Sequence, residues 1–325
     1  MILFVEPSAG VTPIVQLIQK AHKEVELNSY FLDSPTILRA LKAAHDRGVE
    51  VRVIVDHYPY HMSASKVAQE KERITAIGAQ FHWAPQRFEK SGHQYRFDHA
   101  KYICSGTECE IGTNNYSWAS FHRNREYFVI THNPQIVGAA HAVFAADWRS
   151  SYAPNWVQKY LVLSPDNSQR DILATIEQPG KVYIESEELG NDRTILDALK
   201  KKGSDLYIVL PSTVSAADQK NAASLRAAGV HIAFMNARKR YIHAKMIVGA
   251  KQAFIGSENL TWTSLHKNRE MGLLLTQPDM LRKLQVQFIH DWKDSTPQPA
   301  SPSSGGPSLV RTVGGLFHGL FGHRE

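Results

Sequence analysis

His243 to Glu270 reads HAKMIVGAKQAFIGSENLTWTSLHKNRE, and the chain says nearly the same thing once before, from His99 to Glu126, as HAKYICSGTECEIGTNNYSWASFHRNRE. One offset of 144 residues relates the copies throughout (243 − 99, 259 − 115, 262 − 118 and 270 − 126), with no gap. The register persists to Phe144-x-x-Asp147-Trp148 against Phe288-x-x-Asp291-Trp292. A repeat this long without a break means two homologous halves in one chain.

Within the repeat the matched polar residues are His, Lys, Asn and Glu, with a small hydroxyl residue after glycine (Thr113, Ser257). These are the side chains that phosphate-ester chemistry uses. HAKYIC and HAKMIV alternate, so His and Lys at i and i+2 project from one face of a strand and their apolar neighbours from the other. A four-residue turn follows in each copy (105–108 and 249–252), then a second strand ending in Gly-Thr/Ser-x-Asn. Each copy therefore reads as a hairpin that delivers His, Lys and Asn to one end of a sheet.

This pattern resembles the phospholipase D superfamily, including its bacterial phospholipase D-like and cardiolipin synthase-like members. Its signature is His-x-Lys-x4-Asp, then Gly-Ser-x-Asn and a later acidic residue. With its flanking elements the resemblance covers roughly residues 1–295. Both copies depart from it in the same way: Gly106 and Ala250 stand where the motif Asp would, and the hairpin is one residue shorter. A change made twice reads as a family variant in which that Asp served structure. The resemblance implies two homologous α-β-α sandwich halves with mixed sheets, related by a pseudo-twofold axis with one site between them. It also implies His99 as nucleophile and His243 as general acid; the symmetry of the repeat does not itself decide between them.

A phosphodiester resists hydrolysis because its anionic oxygens repel the nucleophile and the leaving alkoxide is poor. Two imidazoles divide the work if one is neutral while the other is protonated, and an unperturbed pKa of about 6.5 makes both states accessible. One attacks phosphorus to form a phosphohistidine, and the other protonates the leaving oxygen, then deprotonates water or an acceptor alcohol. Lys101 and Lys245 would clamp the non-bridging oxygens, with Asn115 and Asn259 as further donors. Glu126 and Glu270, each 27 residues after the histidine of its own copy (126 − 99; 270 − 243), are assigned to accept the other ring N–H and fix the tautomer. Thr113 and Ser257 are expected as supporting substrate donors, and no metal or other cofactor is needed in this scheme. Glu187 and Glu188 end a strand of the second half and either line the cleft or are solvated. The matched His122 and His266 are held in reserve, and Trp118 and Trp262 are expected in the core.

Helices and strands alternate around the motifs: a helix over 11–21, a strand over 25–31, a helix over 36–47 capped by Asp33-Ser34-Pro35, and a buried strand over 49–56. That alternation predicts an α/β fold with a mixed sheet covered on both faces. Domains are expected at 1–155, 156–295 and 296–325, the last a Pro/Ser/Gly linker with an apolar tail. The offset at Ile37 and Ile195 is 158, fourteen more than at the motifs, so the first half carries extra residues. They are placed in a loop from His57 to Lys71, whose Tyr58 and Tyr60 read as a substrate-facing lip.

The 325 residues are 43% hydrophobic and carry a net charge of +6 with a pI near 9.1. This excludes a disordered chain and favours anionic partners. The only two cysteines, Cys104 and Cys109, flank the first turn, either as a cross-strand disulfide or as two small buried residues. The chain enters its first strand at once, as one relieved of a leader would, so a secreted or periplasmic location is expected, with a cytoplasmic one left open. The expected substrate is a phospholipid headgroup, met by a monomer in transient contact with a membrane surface. A nuclease of the same superfamily is the alternative, and a binding protein that has lost catalysis is a third reading.

Overall fold

The computed structural model describes residues 1–92 and 94–299, so of the linker and tail expected at 296–325, residues 300–325 lie outside the described residues. The first half supplies β1 (Ile2–Glu6), β2 (Glu24–Ser29), β3 (Glu50–Val55), β4 (Gln80–Trp83), β5 (Lys101–Cys104), β6 (Cys109–Gly112) and β7 (Asn124–Thr131). They pair in the order β1-β7-β6-β5-β2-β3-β4. The second half supplies β8 (Val162–Ser164), β9 (Val182–Ser186), β10 (Leu206–Pro211), β11 (His231–Met235), β12 (Tyr241–Ile242), β13 (Lys245–Val248), β14 (Ala253–Gly256) and β15 (Glu270–Leu275). Read from its other edge, the second sheet repeats the same order, β8-β15-β14-β13-β9-β10-β11. Both sheets are mixed: β2 and β3, like β9 and β10, run parallel, while the motif hairpins β5–β6 and β13–β14 are antiparallel.

Helices cover the sheets: α1 (Thr12–Gln19), α2 (Pro35–Asp46), α3 (Ala64–Ala76), the short α4 (Trp118–His122) and α5 (Pro134–Trp148) in the first half. The second half has α6 (Ser168–Glu177), α7 (Arg193–Lys202), α8 (Ala216–Ala227), the short α9 (Trp262–His266) and α10 (Pro278–Lys293). Helix α2 shows why the sequence folds this way. Ser34 accepts from the Ile37 amide, Pro35 opens the first turn, and Gly48, at φ +85°, ends it in a conformation few other residues tolerate. Its buried stripe of Ile37, Leu38, Leu41 and Ala44 packs on Val25, Val51 and Val53 of the sheet. Each large aliphatic side chain so buried contributes about 1.5–3 kcal/mol.

Each half has such an outer core, and a third core lies where the two sheets meet, built from Tyr102, Tyr127, Val129 and Phe144 with Met246, Ile255, Met271 and Phe288. The backbone also crosses this seam. β12 leaves its own sheet to pair in parallel with β7, and Asp98 bridges Arg269 in the reciprocal direction.

Three expectations need correction. The stretch from 57 to 71 is only partly loop, because Ser63 caps α3 and the helix begins at Ala64. It also does not hold all of the extra residues. Ser29 faces Lys101 and Ser186 faces Lys245, and following the parallel registers outward makes Trp83 equivalent to Phe234. That offset is 151 (234 − 83), so seven of the fourteen extra residues (151 − 144) lie between β4 and β5. Trp118 and Trp262, finally, are 59% and 45% exposed. Each stacks on the histidine one turn later in its short helix, His122 or His266, and neither enters the core.

Candidate active site

Lys101 and Lys245 open the central strands β5 and β13, and the histidines stand just before them, where the chain crosses to the other half. The His99 amide donates to the Arg269 carbonyl at 2.8 Å, and the His243 amide to the Arg125 carbonyl at 3.3 Å. The side chains cross as well. His99 Nδ1 lies 2.9 Å from Glu270 Oε2, and His243 Nδ1 lies 2.8 Å from Glu126 Oε2. Counting along the chain assigns each glutamate to the histidine of its own copy; the fold gives it to the histidine of the other. The reason is geometric, since the two hairpins face one another across the pseudo-twofold axis. Both Nδ1 atoms are thereby engaged, leaving the two Nε2 atoms for chemistry.

The glutamates are themselves fixed. Glu126 accepts from Asn124 and Thr113 at 3.1 and 2.6 Å, and Glu270 from Asn268 and Ser264 at 2.9 and 2.7 Å. Burial alone would raise the pKa of Glu270, but His99, Lys101 and Asn268 hold it below the usual carboxylate range. Burial lowers the His99 pKa to about 4 against the pull of Glu270, with Lys101 adding to the fall, so its imidazole is neutral at pH 7. Lys101 is fully buried, donates to the His99 carbonyl at 2.6 Å, and is lowered to about 7, first by burial and then by Lys245.

The second half differs at one position. Glu187, which directly follows Ser186, takes Lys245 Nζ at 2.6 Å and the Tyr241 hydroxyl at 2.9 Å, and its Oε2 lies 3.5 Å from His243 Nε2. Of the two readings left open for Glu187, lining the site is the one the geometry bears. In the first half Tyr30 holds the equivalent place, its ring 4.8 Å from the His99 ring and 5.4 Å from Lys101 Nζ. Sequence reasoning missed Tyr30. Position by position across the two halves, it lies 157 residues before Glu187, outside the register of 144 that made the motif visible.

Other expected residues fall into two groups. Thr113 and Ser257 are fully buried, and both hydroxyls are engaged within the protein, the first on Glu126 and the second on the Met271 backbone. Asn115 and Asn259 each keep a buried Oδ1 with no partner among the described residues, and Asn259 joins Glu270 through Ser264. Tyr58 and Tyr60 are half exposed; the Tyr60 amide donates to the Tyr30 hydroxyl oxygen at 2.5 Å, which ties the loop to the wall beside His99. His122 and His266 bond the Trp118 carbonyl and Asp192, away from the paired imidazoles. Among the described residues no group of three or more His, Cys, Asp or Glu is arranged to hold a metal ion, and no helix is long and apolar enough to cross a membrane.

The chain is also similar to known proteins. The family model described as "Cardiolipin synthase, PLD-like domain" matches residues 14–148 and 173–292. The chain is 26% identical over 136 residues to a mitochondrial cardiolipin hydrolase of Xenopus tropicalis, covering 42% of this chain and 60% of that protein. It is 31% identical over 141 residues to a cardiolipin synthase of Geobacillus sp. (strain WCH70), covering 41% of this chain and 28% of that one. The chain thus spans less than two thirds of either relative. The crystal structure of phosphatidylserine synthase from Haemophilus influenzae Rd KW20 shares the fold, with a TM-score of 0.65 and 11% identity over 90% of this chain and 85% of that one.

Proposed function

From the premise that the chain belongs to the cardiolipin synthase, phospholipase D-like family, we propose that it is a metal-independent phosphodiesterase that cleaves or transfers phospholipid headgroups through a phosphohistidine. The observation that carries this reading is the crossed pair of His–Glu contacts, which sets two oriented imidazoles and two buried lysines at one seam. His99, neutral at pH 7, gives its Nε2 lone pair to phosphorus as the bond to the headgroup oxygen breaks, and that oxygen takes the proton from His243 Nε2. Water or an alcohol then attacks phosphorus, His243 recovers a proton, and the P–N bond breaks. Lys101 and Lys245 offset the charge on the non-bridging oxygens, a task metal ions perform in other phosphodiesterases.

One chain carries both motifs, so a monomer working at a membrane surface suffices. The disulfide joining Cys104 and Cys109 supports a secreted or periplasmic location as part of the same proposal. The test is headgroup release from mixed phospholipid vesicles in EDTA, comparing the wild type with His99→Asn. Release by the wild type alone is expected. No release by either protein would remove the lipid reading and send both samples to DNA.

A further inference from the structure

The two halves repeat their catalytic groups but not the walls around them. On the first-half side, Tyr30 begins an unbroken run of aromatic rings leading outward: Phe97 at 5.7 Å, Tyr95 a further 6.1 Å on, and Tyr60 5.6 Å beyond that. Tyr95 and Tyr60 end it at the surface, 46% and 50% exposed. On the second-half side, the equivalent of Tyr30 is the carboxylate of Glu187, beside His243 Nε2 and Lys245, with Glu188 next in sequence. Lys101 makes no ion pair among the described residues, whereas Lys245 is already paired. One wall is therefore aromatic; the other is acidic.

We propose that this asymmetry gives the site a direction, with Glu187 as its specificity residue: the retained phosphatidyl part lies along the aromatic wall at His99, and the leaving headgroup lies against Glu187 at His243. This rests on the phosphodiesterase reading above. In-line displacement puts the leaving oxygen opposite the nucleophile, where His243 supplies its proton. A headgroup there meets the Glu187 carboxylate, an acceptor, so hydroxyl or ammonium donors are recognised. A headgroup carrying a second phosphate is opposed by like charge in a partly dry site. Burial opposes ionisation of Glu187, yet His243 and Lys245 hold its pKa well below the ordinary range, so it is charged at neutral pH. By microscopic reversibility the acceptor enters along the same wall. Water or a simple alcohol is then preferred over an acceptor that itself bears a phosphate.

The experiment compares phosphatidylglycerol with phosphatidylglycerol phosphate, two lipids whose leaving groups differ by one phosphate, in vesicles of otherwise equal composition. Headgroup release is read as a ratio of kcat/KM values for the wild type, Glu187→Gln and Glu188→Gln. The wild type is expected to prefer phosphatidylglycerol by about 10-fold or more, as like-charge juxtaposition requires. Glu187→Gln is expected to lose most of that preference. A ratio is indifferent to partial unfolding, and the wild-type value needs no variant at all. Equal rates on the two lipids by an active wild type, or an unchanged ratio in an active Glu187→Gln, would overturn the direction and leave the phosphodiesterase reading standing. Absence of release from any lipid by the wild type would overturn both.

Discussion

Two side chains set how activity should respond to pH. In the proposed mechanism His99 is a neutral nucleophile, and burial lowers its pKa to about 4, so kcat/KM should rise as pH increases through about 4. In the same proposal Lys101 works as a cation, and burial lowers its pKa to about 7, so kcat/KM should fall as pH increases through about 7. The expected profile is a bell displaced to the acid side of neutrality, measured by initial rates on a soluble short-chain phosphodiester. A flat profile between pH 4 and pH 7 followed by a rise above it would contradict the assignment. Neither value is legible in the sequence, which gives the residue types and their spacing but not the burial that moves them.

The hairpins that carry these residues are the most legible elements, because alternation, a short turn and the repeat all agree at 101–112 and 245–256. Helix α3 was hidden for a physical reason. Its buried face consists of Val67, Glu70 and Ile74, so a carboxyl group occupies the middle of the stripe that periodicity searches for. Glu70 earns that place by accepting from the Leu32 amide at 2.6 Å, a tie across the sheet top that no local pattern announces. The two hairpins also differ in one respect that can be tested. Cys104 and Cys109 face one another across β5 and β6 and form a disulfide, whereas Val248 and Ala253 hold the same places in the second half. The double substitution Cys104→Val, Cys109→Ala copies the second hairpin onto the first. It should cost about 2 kcal/mol or less, the value expected for closing so short a loop, as read by urea unfolding. Headgroup release should survive it, since the second hairpin presents its histidine without a thiol.

At the scale of the molecule the halves are joined by reciprocal polar pairs. Besides the two His–Glu contacts, Arg125 binds Asp291 at 2.6 Å and Arg269 binds Asp147 at 2.9 Å, all four buried and all four drawn from repeat positions. The spacing showed these residues to be matched but not that they pair crosswise, because the offset of 144 relates equivalent positions and not neighbours in space. Arg125→Met leaves Asp291 buried without its partner and should cost about 3–5 kcal/mol, with Arg125→Met, Asp291→Leu recovering much of it in a double-mutant cycle. Two other buried carboxyls predict how stability follows pH. Burial raises Glu70 and Glu110 to about 8, so each is protonated in the folded protein where the unfolded chain has already lost its proton. Their contribution is complete below the unfolded value near 4.5 and is lost as pH rises toward 8. Thermal unfolding should therefore show a decline over that window, and Glu70→Gln should flatten part of it.

The reciprocity of the seam has an evolutionary consequence. Each half carries both members of every crossed pair, the property of a protomer that can assemble with a copy of itself. In such an assembly any substitution is made on both sides at once, so a tyrosine beside one histidine would be a tyrosine beside the other. Tethering the halves in one polypeptide removes that obligation. Residues that must match across the axis remain bound to each other's identity, while Tyr30 and Glu187 are free to differ, so the two faces of the site need not be alike.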